Sequence, residues 1–136
     1  MACVHEKEPE RRREMNTNYN GVLLAYIGDG VLELLVREML ISTGETSTGK
    51  LSSMAQQIVC APAQSEVVER LLPLLSEEEL AIYKLGRNHK VNGKPRKASI
   101  VEYHRATGME AVFGYLHLAG RQERIRELFN ALYTNI

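Results

Sequence analysis

Apolar residues recur at steps of three and four from Val22 onward: Val22, Leu23, Tyr26, Ile27, Val31, Leu34, Leu35 and Met39. That is the period of an α-helix, and here the apolar positions cover most of its circumference. The segment GVLLAYIGDGVLELLVREML is therefore predicted to be a central, mostly buried helix. Residues 42–50, STGETSTGK, are polar and glycine-containing, which predicts a loop. LSSMAQQIVC predicts a short helix. Pro62 opens another, because proline is tolerated at the first helical position. Pro73 breaks or kinks its end. Ser76 with Glu79, and Ser99 with Glu102, have the spacing of capping boxes. They open EEELAIYKLGR and the long apolar stretch IVEYHRATGMEAVFGYLHLA, which Gly120 ends. RQERIRELFNALY is a last amphipathic helix. No strand alternation, hairpin signal or internal repeat stands out. The expected fold class is all-α, with six or seven helices.

Length and composition narrow this picture. The 136 residues suffice for one domain. Residues 1–17 are charged and offer almost nothing to bury, so they are expected to form a solvated tail on a folded domain of residues 18–136. Hydrophobic residues make up 44% and charged residues 25%, which is globular and not disordered. The 17 basic and 17 acidic residues cancel. That excludes a uniformly basic nucleic-acid binder but leaves room for a local patch. No apolar run approaches the roughly 18 residues of a membrane helix. The first residues lack the apolar core of a secretory signal. Two cysteines, Cys3 and Cys60, make neither a disulfide framework nor a metal cluster, so a reducing cytoplasm is the expected compartment.

The candidate chemistry begins with a count. Of the 17 acidic residues only one is an aspartate, Asp29, and it sits in an apolar segment between Gly28 and Gly30. Glycine in a helix interior costs about 0.5–1 kcal/mol relative to alanine, so two of them around an acid need a reason. One reason is close approach of a second helix or a ligand. The other is tight packing, with Asp29 bonded to a neighbouring cap. A buried lone carboxylate is expensive unless it is paired or bound to a metal. Glu33 lies one turn on, either as a second ligand or as the wet edge of the helix. Glu110 stands in a similar setting, among apolar residues with Gly108 and Gly114 nearby. Two such helices can cross closely and bring Asp29 and Glu110 together, where the like charges require a cation or a shared proton. Oxygen ligands of this kind suit Mg²⁺. The alternative is two independent acids capping distant loops. Between Lys84 and Lys97 stand six basic residues and no acid. Such a stretch suits a phosphate backbone, or it is a solvated loop. The four histidines share no ligand spacing, and no P-loop or nucleophile elbow is present.

Two segments carry a resemblance. LAYIGDGVLEL resembles the signature of the ribonuclease III catalytic domain, and TGMEAVFGYLHL looks like that family's distal acidic motif. The spacing between them also fits, and the resemblance covers about residues 20–134. The chain ends soon after its last helix, so the usual double-stranded-RNA-binding domain is expected to be absent. That, with KLGRNHKVNGKPRKASIVEYHRATGMEAVFGYL, is similar to the Mini-ribonuclease III subfamily. Two positions depart from full-length ribonuclease III: Ala25 stands where that family has a glutamate, and Thr107 where it has an aspartate. The Mini-III proteins share this reduction.

The resemblance implies a helical homodimer of ribonuclease III endonuclease-domain fold that cleaves double-stranded RNA. It implies Asp29 and Glu110 as catalytic metal ligands for Mg²⁺, for which Mn²⁺ can substitute. A metal-activated water would leave 5′-phosphate and 3′-hydroxyl ends. Arg87, Asn88, Lys90, Lys94 and Lys97 are the expected RNA contacts. The implied substrate is precursor 23S ribosomal RNA, in some cases with a ribosomal protein as helper. The competing reading is a non-catalytic ribonuclease III-like module that binds double-stranded RNA within a ribosomal or RNA-processing complex. Retention of both acids speaks against it.

Overall fold

The computed structural model describes residues 19–89 and 99–133, and the charged tail expected at 1–17 lies outside them. Six α-helices follow one another: α1 Gly21–Ile41, α2 Thr48–Val59, α3 Ala61–Leu71, α4 Glu77–Arg87, α5 Ile100–Leu118 and α6 Gln122–Tyr133. A 3₁₀ turn, Leu72–Leu74, carries Pro73 between α3 and α4. The described residues contain no strand. None of their helices is long and apolar enough to cross a membrane.

The caps act where the sequence puts them. Ser76 Oγ accepts from the Glu79 N–H and Glu79 reaches back to the Ser76 N–H, which starts α4. Ser99 and Glu102 start α5 in the same way. Gly120, at φ 76°, closes the end of α5 in a left-handed conformation that suits glycine. One boundary differs. Helix α2 begins at Thr48, three residues before the expected Leu51, because Ser47 caps it by accepting from the Lys50 N–H. Residues 48–50 face solvent, so no apolar period marked them as helical.

The expected central helix is also the wrong one. Helix α5 occupies the centre, packed against α1, α3, α4 and α6. From Ala106 to Leu116 every residue except Glu110 is buried. Helix α1 is covered on one side only. Its Leu24, Leu32, Val36 and Leu40 enter the core, while Leu23, Tyr26, Leu34 and Ile41 stay exposed.

One ion pair anchors the last helix. Arg124 of α6 donates from Nε and Nη2 to the two oxygens of Glu79, both at 2.8 Å, and from Nη2 to the Leu74 carbonyl at 2.7 Å. Glu79 is fully buried, so these bonds replace the water it lost. Helices α3, α4 and α6 thus pack around α5, whose Glu110 backbone meets α1 at Gly28.

Candidate active site

Helices α1 and α5 touch through their backbones. A methyl group on Gly28 would overlap the Glu110 carbonyl, and one on Gly114 would overlap the Leu24 carbonyl. No side chain other than hydrogen fits either position. This explains one of the two glycines around Asp29. The other, Gly30, is different: a methyl group there meets nothing within 4 Å.

The crossing places Asp29, next to Gly28, within electrostatic reach of Glu110. Burial pushes the Glu110 carboxyl up to about 8, and the Asp29 charge pushes in the same direction. Asp29 itself is exposed, which corrects the expectation of a buried carboxylate. Because α1 is covered on one side only, Asp29 stands at the border of its covered face. Burial desolvates Glu110. A half-buried carboxyl kept protonated by burial and by a neighbouring charge is one that a divalent cation would return to its ionised form. The donors are carboxylate oxygens, which a hard cation such as Mg²⁺ prefers. Among the described residues no group of three or more His, Cys, Asp or Glu side chains could hold a metal. Two carboxylates would therefore have to be completed by water and substrate oxygen, and Mg²⁺ accepts such a shell.

Neither position of the absent acids supplies a ligand. Ala25 is buried in the core. Thr107 is buried and donates its hydroxyl to the Tyr103 carbonyl at 2.9 Å. Glu33 is partly buried and accepts from Arg37 Nε at 3.0 Å.

The expected RNA contacts divide. Lys90, Lys94 and Lys97 lie outside the described residues. Arg87 ends α4 with its guanidinium 5.7 Å from the centre of the Tyr83 ring, and its Nε donates to Asn88 Oδ1 at 3.0 Å. Asn88 is exposed. Beside them the structure assembles a pair that spacing concealed. The rings of His89 and His104 stack at 5.5 Å and 13°. His89 Nδ1 bonds the Gly86 carbonyl at 2.8 Å, and His104 Nδ1 bonds the Arg87 carbonyl. Carbonyls only accept, so each Nδ1 carries the proton. Fifteen positions separate these residues in the chain, which is why no sequence period could pair them. His104 precedes Glu110 on α5 by about 9 Å along the helix axis.

Residues 23–121 match the Ribonuclease III domain family. The chain is 42% identical over 113 residues to the Mini-ribonuclease 3 of Enterococcus faecalis, spanning 82% of this chain and 86% of that protein. With the Mini-ribonuclease 3 of Brevibacillus brevis it shares 39% over 128 residues, spanning 94% and 95%. The fold is similar to the X-ray crystal structure of a Fusobacterium nucleatum protein, with a TM-score of 0.78 at 29% identity, covering 85% of this chain and 94% of that one.

Proposed function

From a chain that belongs to the Mini-ribonuclease 3 branch of the ribonuclease III family, and is an endoribonuclease, we propose a Mg²⁺-dependent cut of double-stranded RNA at Asp29 and Glu110. The observation that carries this reading is the contact of Gly28 with the Glu110 backbone, which holds the helix segments that carry the two acids together. Asp29 and Glu110 would hold the ion, with Mn²⁺ able to replace Mg²⁺. When bound, the ion supplies an activated water and charge for the leaving oxygen, giving 5′-phosphate and 3′-hydroxyl ends.

The chain's own residues do the rest. Glu110 is pushed toward its protonated form by burial, and it yields its proton as the site fills. Asp29 is open to solvent, so a cation, and an RNA phosphate carried by it, could reach it. Arg87 and Asn88, with Lys90, Lys94 and Lys97, bind backbone phosphates. Duplex RNA is recognised by shape and phosphates, which such groups can do without an aromatic platform.

We read the molecule as a homodimer. The open face of α1 carries Leu23, Tyr26, Leu34 and Ile41, with Tyr26 77% and Leu34 58% exposed. Gly30 lies on that face and leaves room for another backbone. A contiguous exposed apolar face of this kind marks an interface, and a two-fold pair would place one site for each strand. The substrate we infer is precursor 23S ribosomal RNA, processed in the cytoplasm, with a ribosomal protein as helper.

The test is duplex-RNA cleavage with and without Mg²⁺, wild type beside Asp29→Asn and Glu110→Gln. Wild type is expected to cut both strands only with metal, while both variants bind without cutting. If wild type binds and never cuts under any divalent metal, the two ligands fall, and the chain is a binding module instead.

A further inference from the structure

His89 follows the end of α4, and His104 stands in the second turn of α5. Each donates its Nδ1–H to a carbonyl at the C-terminal end of α4, His89 to Gly86 and His104 to Arg87. A backbone carbonyl on one ring nitrogen fixes the tautomer and leaves the other nitrogen as a lone-pair donor, which is how metal-ligating histidines are held. Among the described residues neither Nε2 has a hydrogen-bond partner. Both side chains are half-buried, and the Tyr103 ring lies 5.9 Å from that of His89 and 6.0 Å from that of His104. The two imidazole centres are 5.5 Å apart. Two imidazoles that share one tetrahedral ion at about 2.0–2.1 Å, each ring centre roughly 1 Å behind its nitrogen, have centres about 5 Å apart.

We propose that Nε2 of His89 and Nε2 of His104 together hold one borderline transition cation of the Zn²⁺ class, with water in its remaining positions. The pair closes on the ion through side-chain torsions, and the ion ties the end of α4 to α5. Neutral imidazole suits Zn²⁺, whereas Mg²⁺ takes oxygen ligands, so this site differs in chemistry from Asp29 and Glu110. It does not rest on the nuclease reading. A phosphate is the competing occupant and fits less well. With Nδ1–H committed to a carbonyl, the neutral ring offers Nε2 only as an acceptor. The local field also favours a cation. The Gly86 and Arg87 carbonyls belong to the negative end of the α4 dipole. The Arg87 guanidinium is engaged elsewhere, with the Tyr83 ring and Asn88. Among the described residues no third His, Cys, Asp or Glu joins the pair, so each imidazole is half of the protein's share of the site.

The experiment titrates Zn²⁺ into the full chain by calorimetry, with millimolar Mg²⁺ present to occupy oxygen sites. Wild type is compared with His89→Gln, His104→Gln, Asp29→Asn and Cys3→Ser. Wild type is expected to bind one Zn²⁺ per chain, and its unfolding midpoint should rise at saturation, because the site exists only in the folded state. Either histidine variant should weaken binding by about tenfold or more and lose the rise. Asp29→Asn and Cys3→Ser should bind as wild type does. A measurement on wild type alone guards against a variant that folds poorly. In ¹H–¹⁵N spectra of the imidazole rings, Zn²⁺ should move the Nε2 signals of His89 and His104 together and leave His117 in place. Absence of Zn²⁺ binding overturns the proposal. So does binding that both histidine variants keep, binding lost in Asp29→Asn or Cys3→Ser instead, or a spectrum in which the His89 and His104 signals stay fixed. If the two Nε2 signals instead answer inorganic phosphate and not Zn²⁺, the pair is an anion site and the metal assignment falls.

Discussion

Gly28 and Glu110 are in backbone contact across the α1–α5 crossing, so that no β-carbon fits at residue 28. The candidate acid Asp29 is the next residue along α1, and its partner Glu110 is the residue that Gly28 touches. Helix packing and site geometry are therefore the same contact.

Gly28→Ala is expected to force the two helices apart and to destabilise the protein by upwards of about 3 kcal/mol, more than an ordinary overpacked core site. Gly30→Ala is its control. Nothing within 4 Å of that position obstructs a methyl group, so helix propensity should raise the stability of the isolated chain by about 0.5–1 kcal/mol. Chemical denaturation of both variants checks the pair. Equal destabilisation would refute the asymmetry.

The second prediction concerns Glu110 and pH. Its folded value, about 8, lies above the ordinary 4.5 of a glutamate, because burial and then the Asp29 charge disfavour the ionised form. The folded state thus binds the proton more tightly than the unfolded state. Stability must fall as pH rises from about 4.5 to about 8, and then level off. Glu110→Gln has no such loss. In metal-free buffer its unfolding midpoint should exceed that of wild type increasingly across that window. Millimolar Mg²⁺ should narrow the gap by stabilising wild type only. Parallel melting curves across the window would refute this account of the site.

The Glu79–Arg124 pair makes an acid-side prediction. Burial raises the Glu79 carboxyl, but hydrogen bonds from Arg124 and from the Ser76 backbone outweigh it, and the net shift is downward. A depressed folded value contributes stability above 4.5 that is lost as pH falls through the folded value. Arg124→Met leaves a buried carboxylate without its main partner, at a cost of roughly 3–5 kcal/mol near neutral pH. The loss should shrink as pH falls, because without Arg124 burial favours the protonated Glu79 carboxyl. Urea titrations at pH 7 and pH 4 distinguish this from a loss of packing alone, which would be the same at both.

The open face of α1 makes the last. Leu34→Glu and Tyr26→Lys alter exposed positions, so the fold should keep its helical circular dichroism. Sedimentation should nevertheless shift from dimer to monomer. Wild type that sediments as a monomer at micromolar concentration would remove the dimer from the proposed function.

The sequence alone determined what local chemistry determines. Both capping boxes, Gly120 as a helix stop and the all-α class follow from short-range bonds and apolar period, and the structure has them. The close crossing of α1 and α5 beside Asp29 and Glu110 was also legible, because glycine beside an acid in an apolar helix implies one. Tertiary structure decided the rest. An apolar period tells how much of a helix avoids water, not what covers it. Helix α1 therefore read as central, although its Leu23, Tyr26, Leu34 and Ile41 are left open and α5 holds the centre. For the same reason Asp29 read as buried, and it is exposed, while burial desolvates Glu110. The start of α2 escaped because its first turn is polar. The His89–His104 stack escaped because it joins the end of α4 to α5. Only packing, driven by burial of faces that carry none of these groups, brings them together.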